Sequence, residues 1–180
     1  MLHRTNVKVG DNPPSIVNVL IEIPEGSSVK YEVDAESGIV FVDRFLYSAT
    51  HYPFNYGFIP QTKEKDGDPV DVIVISQHSV YPMVVIKSRP IGMLMTEDEK
   101  GEDAKIIAVP APTVDPYYAS IQHISELPQF TKNQIEHFFK QYKELEPDKH
   151  VRVIGWKDRE EAYKRITDAI KEYESDASQR

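Results

Sequence analysis

The chain has 180 residues, 40% of them apolar and 28% charged, with a formal net charge of −8 and no cysteine. That length suits one domain with a sizeable core. Disulfides and thiolate metal sites are excluded, and the acidic balance opposes general nucleic-acid binding, which needs a basic surface. It leaves room for an anionic substrate, because carboxylates hold divalent cations and those cations hold phosphate.

In chain order, residues 1–12 are polar and lack the apolar core of a signal peptide. No apolar run approaches a membrane span, so a cytoplasmic protein with no membrane partner is expected. Val17, Val19, Ile21 and Ile23 then alternate with Asn18, Leu20 and Glu22, which is strand periodicity. Pro24-Glu25-Gly26 marks a turn. Val29, Tyr31 and Val33 alternate with Lys30, Glu32 and Asp34 in a second strand. Further strands are predicted over 39–46, 70–75, 84–94 and 105–109. Many short strands between Gly/Pro turns predict a barrel.

The last third changes period. Thr131 with Gln134 forms a capping box, and Ile135, Phe138, Phe139, Tyr142 and Leu145 follow at helical spacing until Pro147. A short strand is predicted over 151–156. Asp158 and Glu161 open a second helix with Ala162, Ile166, Ala169, Ile170 and Tyr173 on its inner face. The expectation is a single domain over 1–180, α+β and mainly β, with 174–180 as a frayed polar tail.

The densest chemical signal is Asp66-Gly67-Asp68-Pro69-Val70-Asp71. Gly67 permits an unusual backbone angle and Pro69 keeps Asp68 extended. A rigid turn of this kind converges three like charges, which is unfavourable unless protons or a cation compensate. Hard divalent metals such as Mg²⁺ prefer such oxygen ligands. Read alone, the segment serves equally as a solvated acidic turn. The spacing is not that of an EF-hand.

Glu97-Asp98-Glu99-Lys100-Gly101-Glu102-Asp103-Ala104-Lys105 reads alone as a charged hairpin tip. If a strand starts there, Asp103 and Lys105 share a face, a carboxylate beside a cation. Lys30 and Glu32 also share a face, either as a solvent-facing ion pair or as a phosphate ligand beside a metal ligand. Arg44, in Phe41-Val42-Asp43-Arg44-Phe45, pairs with a carboxylate or presents its fork to phosphate, and alone the pairing is favoured. The alternating aromatics of Tyr52-Pro53-Phe54-Asn55-Tyr56-Gly57-Phe58 suit core packing, with the Tyr56 hydroxyl available to a phosphate. Tyr142 and Lys143 are placed on the first C-terminal helix, as core and as exposed charge respectively. No Walker loop, GxGxxG or HExxH occurs, the six histidines lack zinc-like spacing, and His51 reads as a structural hydrogen-bonder.

Taken together, these segments resemble the family I soluble inorganic pyrophosphatases. Asp66-Gly67-Asp68-Pro69-Val70-Asp71-Val72 is similar to that family's signature. Ile21-Glu22-Ile23-Pro24, Lys30-Tyr31-Glu32, Phe41-Val42-Asp43-Arg44, Tyr52-Pro53-Phe54-Asn55-Tyr56-Gly57, Gly101-Glu102-Asp103-Ala104-Lys105 and His137-Phe138-Phe139-Lys140-Gln141-Tyr142-Lys143 resemble family segments in the right order. The length resembles the short prokaryotic form.

The resemblance implies an OB-like β-barrel, closed or partly open, with two flanking C-terminal helices and a site at its mouth. It implies Mg²⁺-dependent hydrolysis of pyrophosphate to two orthophosphates, with several Mg²⁺ per site, and a homo-hexamer; Mn²⁺ is the alternative cation, because both ions accept oxygen ligands. By the same resemblance Asp66, Asp71 and Asp103 hold the metals that activate water. Glu32 and Asp98 help with metals that accompany the substrate, and Glu22 belongs to the same acidic wall. Asp68 accepts the proton of the attacking water. Lys30, Arg44, Tyr56, Lys105, Tyr142 and Lys143 hold phosphate oxygens.

Three rival readings stay in view. One is a non-catalytic OB-type module for single-stranded nucleic acid, opposed by the charge of −8 and by the scarcity of Lys and Arg near the aromatics. Another is an Mg²⁺-dependent hydrolase of a different phosphoanhydride, for which no base-specific pocket is legible. The third is an inactive relative, against which the intact acid and base set stands.

Overall fold

A computed structural model describes residues 7–178. Five strands close into a ring: β1 (Val17–Ile23), β4 (Asn55–Phe58), β5 (Asp71–Val74), β7 (Gly101–Pro110) and β6 (Val85–Asp98) pair in that order, and β6 pairs back onto β1. Closure leaves these strands no free edge. β8 (Val151–Asp158) adds to the outer side of β6, while β2 (Val29–Val33) and β3 (Val40–Phe45) form a separate two-stranded hairpin. Helices α1 (Gln129–Gln141) and α2 (Arg159–Ser178) complete the mainly-β, α+β, OB-like architecture that the sequence predicts.

Period-two side chains explain where the core sits. Along β5 and β7, Val72, Val74, Ala104, Ile106 and Ala108 enter one buried cluster, closed by Ala162, Ile166 and Ala169 of α2. Their neighbours Ile73, Ile107 and Val109 enter a second cluster, closed by Ile135, Phe138 and Phe139 of α1. Both faces of these strands are therefore covered. That explains their near-continuous apolar runs and fixes their register, since a one-residue slip would exchange the two faces.

Several boundaries differ from those predicted. β6 continues past 94 to Asp98, and β7 starts at Gly101, so the hairpin turns at Glu99-Lys100. β4 was legible only as an aromatic segment. Its Gly57 crosses β1 so closely that a Cβ there would lie 1.9 Å from the Leu20 carbonyl oxygen. No capping box forms at Thr131, because α1 begins two residues earlier, straight after Pro128, which makes no side-chain cap. Proline's fixed φ sets the chain up for the helix. α1 ends at Gln141, so Tyr142 is its C-cap and Lys143 lies in the turn beyond, buried rather than exposed. α2 stays helical through Ser178, which includes most of the segment expected to fray; residues 179–180 lie outside the described residues. His51 is exposed.

Candidate active site

Small irregularities aim the charged side chains. In β1, Ile21 and Ile23 face Gly57 and Tyr56, which leaves Glu22 as the extra residue of a bulge. Bulges redirect a side chain in this way. The Glu22 carboxylate accepts a hydrogen bond from the Val33 N–H of β2 at 2.8 Å, so it also joins the hairpin to the ring. In the hairpin, Lys30 faces Arg44 and Tyr31 faces Val42, with Asp43 bulged between. Asp43 separates the two cations: its Oδ2 is 2.6 Å from Arg44 Nη1 and 3.5 Å from Lys30 Nζ.

The centre of the site is set by the parallel pairing of β5 and β7. Val72 faces Ile106, so Asp71, the first residue of β5, and Lys105, midway along β7, come side by side. Lys105 Nζ donates to Asp71 Oδ2 and to Asp103 Oδ1, each at 2.6 Å. It also lies 5.7 Å from the ring centroid of Tyr56. The Lys105 side chain is 5% exposed. The acidic turn precedes β5: Gly67 takes a φ of +96°, and the Asp68 N–H donates to Asp66 Oδ1 at 3.1 Å. Beyond α1, Lys143 donates to Asp98 at 3.0 Å, and Arg44 Nε donates to the buried Glu146 at 2.8 Å.

These segments enclose one cavity of about 620 Å³. Every side chain singled out from the sequence lines it: the acids Glu22, Glu32, Asp66, Asp68, Asp71, Asp98 and Asp103, and Lys30, Arg44, Tyr56, Lys105, Tyr142 and Lys143. Asp43 and Glu146, which hold Arg44, were missed. Asp43 adjoins Arg44 in the quoted segment and was legible as its partner. Glu146 lies 102 residues away and gives no local signal.

The electrostatics show an acidic wall short of positive charge. Burial, with Asp71 nearby, pushes the Glu22 carboxyl up to about 7. Asp103 is raised by burial and by Asp71, despite Lys105. Asp68 stands exposed at the mouth, yet partial desolvation and the adjacent Asp66 push it up as well. Asp98 goes the other way: burial raises it, but hydrogen bonds from the Lys100 N–H and from Lys143 outweigh that. Burial also holds the Tyr56 and Tyr142 hydroxyls protonated. Carboxyls raised by desolvation and by one another form a donor set that a hard divalent cation would satisfy. Among the described residues, the one trio of His and acid ligand atoms lying within 4.8 Å of one another is His123, Asp158 and Glu160. That trio is outside the cavity, whose acids are spread more widely.

The family model for inorganic pyrophosphatase matches residues 19–174 of the chain. The chain belongs to the inorganic pyrophosphatase family. The inorganic pyrophosphatase of Sulfolobus acidocaldarius is 57% identical over 162 residues, covering 90% of this chain and 94% of that protein. The Aquifex pyrophilus inorganic pyrophosphatase is 52% identical, covering 91% and 93%. The crystal structure of the Thermus thermophilus inorganic pyrophosphatase superposes with a TM-score of 0.91 at 43% identity, covering 96% of this chain and 99% of that one. The matched region contains every residue of the cavity set, so membership of the pyrophosphatase family and the geometry of the site concern the same part of the chain.

Proposed function

We propose that this cavity hydrolyses inorganic pyrophosphate to two orthophosphates by direct attack of water. The observation that carries the reading is the meeting of acids and cations from separate segments in one cavity. Its depth is marked by Lys105 held between Asp71 and Asp103. Pyrophosphate and hydroxide are both anions, and a mixed charge pattern favours their approach: cations for the phosphates, acids to retain compensating metal.

Asp66, Asp71 and Asp103 are assigned to metal binding, with Glu22, Glu32 and Asp98 on the same wall. Mg²⁺, in several copies per site, is the proposed cation, and Mn²⁺ would be accepted by the same oxygens. When bound, such ions neutralise phosphate charge and acidify water. Asp68, exposed at the mouth and made a stronger proton acceptor by partial desolvation and the adjacent Asp66, is assigned as the general base. Lys30 and Arg44 of the hairpin, Lys105 of the ring, and Tyr142 and Lys143 beyond α1 would grip the phosphate oxygens, with Tyr56 at the floor. In phosphoryl transfer, positioning and charge stabilisation carry most of the rate.

The decisive experiment measures phosphate release from pyrophosphate with Mg²⁺, with EDTA, and with a nucleoside triphosphate as competitor. Rapid Mg²⁺-dependent release that EDTA abolishes and the triphosphate barely slows is expected. Preference for the triphosphate would make the site a general phosphoanhydride hydrolase. The remaining proposals are a homo-hexamer, supported by family membership and by exposed apolar residues such as Tyr81 and Phe45, and a cytoplasmic location. Among the described residues no helix is long and apolar enough to cross a membrane. Light scattering and cell fractionation test these two points.

A further inference from the structure

Two acids of the cavity wall have no part in the reading above. Glu64 lies two residues before Asp66, and Glu102 lies immediately before Asp103. Arg165 of α2, behind the wall, joins them. Its Nε and Nη2 donate to the two carboxylate oxygens of Glu64 at 2.6 and 2.9 Å, and its Nη1 donates to Glu102 Oε1 at 2.7 Å. The Arg165 side chain is 20% exposed and that of Glu64 15%.

The acidic turn has little else to hold it. Asp66 and Asp68 are exposed, and a Cβ on Gly67 would find no atom within 4 Å. Its internal ties run to Glu64, whose N–H donates to the Asp68 carbonyl at 2.8 Å and whose carbonyl accepts from the Gly67 N–H at 3.0 Å. One helical turn beyond Arg165, the Ala169 carbonyl accepts from the Lys63 N–H at 3.0 Å. Thus α2 is the base on which the turn rests, and the guanidinium is the polar link from that turn to the start of β7, whose Ala104 and Ile106 share a core cluster with α2. A planar fork can serve two carboxylates at fixed angles, which an ammonium cannot.

We propose that Arg165 is a positioning residue that fixes the spacing between the 66–68 turn and Asp103, and thereby sets the cation affinity of the site. This rests on the metal-site reading of the previous subsection. One side chain, 20% exposed, clamps the two segments that carry the assigned metal ligands, through Glu64 at 15% exposure and Glu102 at 61%.

The test is Mn²⁺ binding to the full chain without substrate, followed by electron paramagnetic resonance, beside thermal unfolding in EDTA. Arg165→Met and Glu64→Gln should each weaken Mn²⁺ binding about tenfold, the low end for groups that orient metal ligands. The double variant should be no worse than the poorer single variant, because both remove one link. Arg165→Lys should regain less than half of the loss, for want of the fork. Binding within about twofold of wild type in both single variants, with only the melting temperature lowered, would overturn the proposal. If Arg165→Met does not fold, Glu64→Gln, which preserves size and the Glu102 arm, carries the same expectation. A wild-type protein that neither binds Mn²⁺ nor hydrolyses pyrophosphate would defeat the functional reading itself, an outcome distinct from wild-type binding that the variants leave unchanged.

Discussion

The closed ring and the β2–β3 hairpin both present acids and cations to one cavity, but they hold them differently. On the ring, Lys105 is 5% exposed and fixed by two bonds of 2.6 Å from strands that are themselves paired and covered on both faces. On the hairpin, Lys30 and Arg44 are 23% and 24% exposed. Lys30 relies on its own sheet, on Glu32 and on the bulged Asp43, while Arg44 reaches from Asp43 to Glu146. The hairpin pairs only with itself. On the proposed reading, the ring preorganises Lys105 with its two acids, while two of the other cations assigned to phosphate, Lys30 and Arg44, sit on the lighter element. Preorganisation in a low-dielectric site is what makes fixed charges catalytically valuable.

The largest expected effect comes from the acidic turn that leads into β5 of the ring. Asp68→Asn should reduce kcat by roughly 10²–10⁴-fold, the range for loss of a positioned acid or base. Mn²⁺ binding should remain close to wild type, because Asp66, Asp71 and Asp103 are untouched. Turnover at the wild-type rate would remove Asp68 from the base role. Next, Lys105→Met leaves Asp71 and Asp103 facing each other without their cation. Breaking a buried pair from one side typically costs about 3–5 kcal/mol. Both carboxylates are about one-third exposed, which brings the expected loss to about 2–3 kcal/mol in urea unfolding with EDTA present. Added Mg²⁺ should recover part of it.

Glu22 sits where the two regions join, on a ring bulge and bonded to Val33 of the hairpin. Its carboxyl is raised from 4.5 to about 7, chiefly by burial. The native state therefore binds a proton that the unfolded chain has released between those values. Its stabilising contribution is complete below about 4.5 and is lost as pH rises through about 7. At about 1.4 kcal/mol per unit, metal-free wild type should lose roughly 2–3 kcal/mol across that window from this group alone. Glu22→Gln should escape the loss. In EDTA it should be more stable than wild type at pH 8 and close to it at pH 4; equal stabilities at pH 8 would mean the Glu22 carboxyl is not raised.

The ring was more legible in the sequence than the hairpin's electrostatics were. Alternation in 17–23 and the apolar run 70–75 predicted β1 and β5, because a strand covered on both faces must be apolar nearly throughout. The pairing of Asp103 with Lys105 followed from their two-residue spacing. What stayed hidden depends on contacts distant in sequence or on backbone irregularity. The four-residue β4 is too short to show a period. The bulges at Glu22 and Asp43 arise from pairing register, which no single segment encodes. Glu146 reaches Arg44 across 102 residues, and Arg165 reaches Glu64 across 101 and Glu102 across 63. The capping box at Thr131 failed because Pro128 starts the helix earlier than the capping residues would.

The smallest expected effect is the sharpest test of the contrast. Lys30→Met removes a cation from the hairpin, as Lys105→Met removes one from the ring. Asp43 would still hold Arg44 at 2.6 Å, and Glu32 is exposed enough to be solvated by water. The stability change should therefore stay below about 0.5 kcal/mol, as for most partly exposed ion pairs. Its catalytic effect should appear mainly in KM, since a group that grips substrate and transition state alike contributes uniform binding. A loss of stability matching that of Lys105→Met would mean that the hairpin charges are as structurally committed as those of the ring.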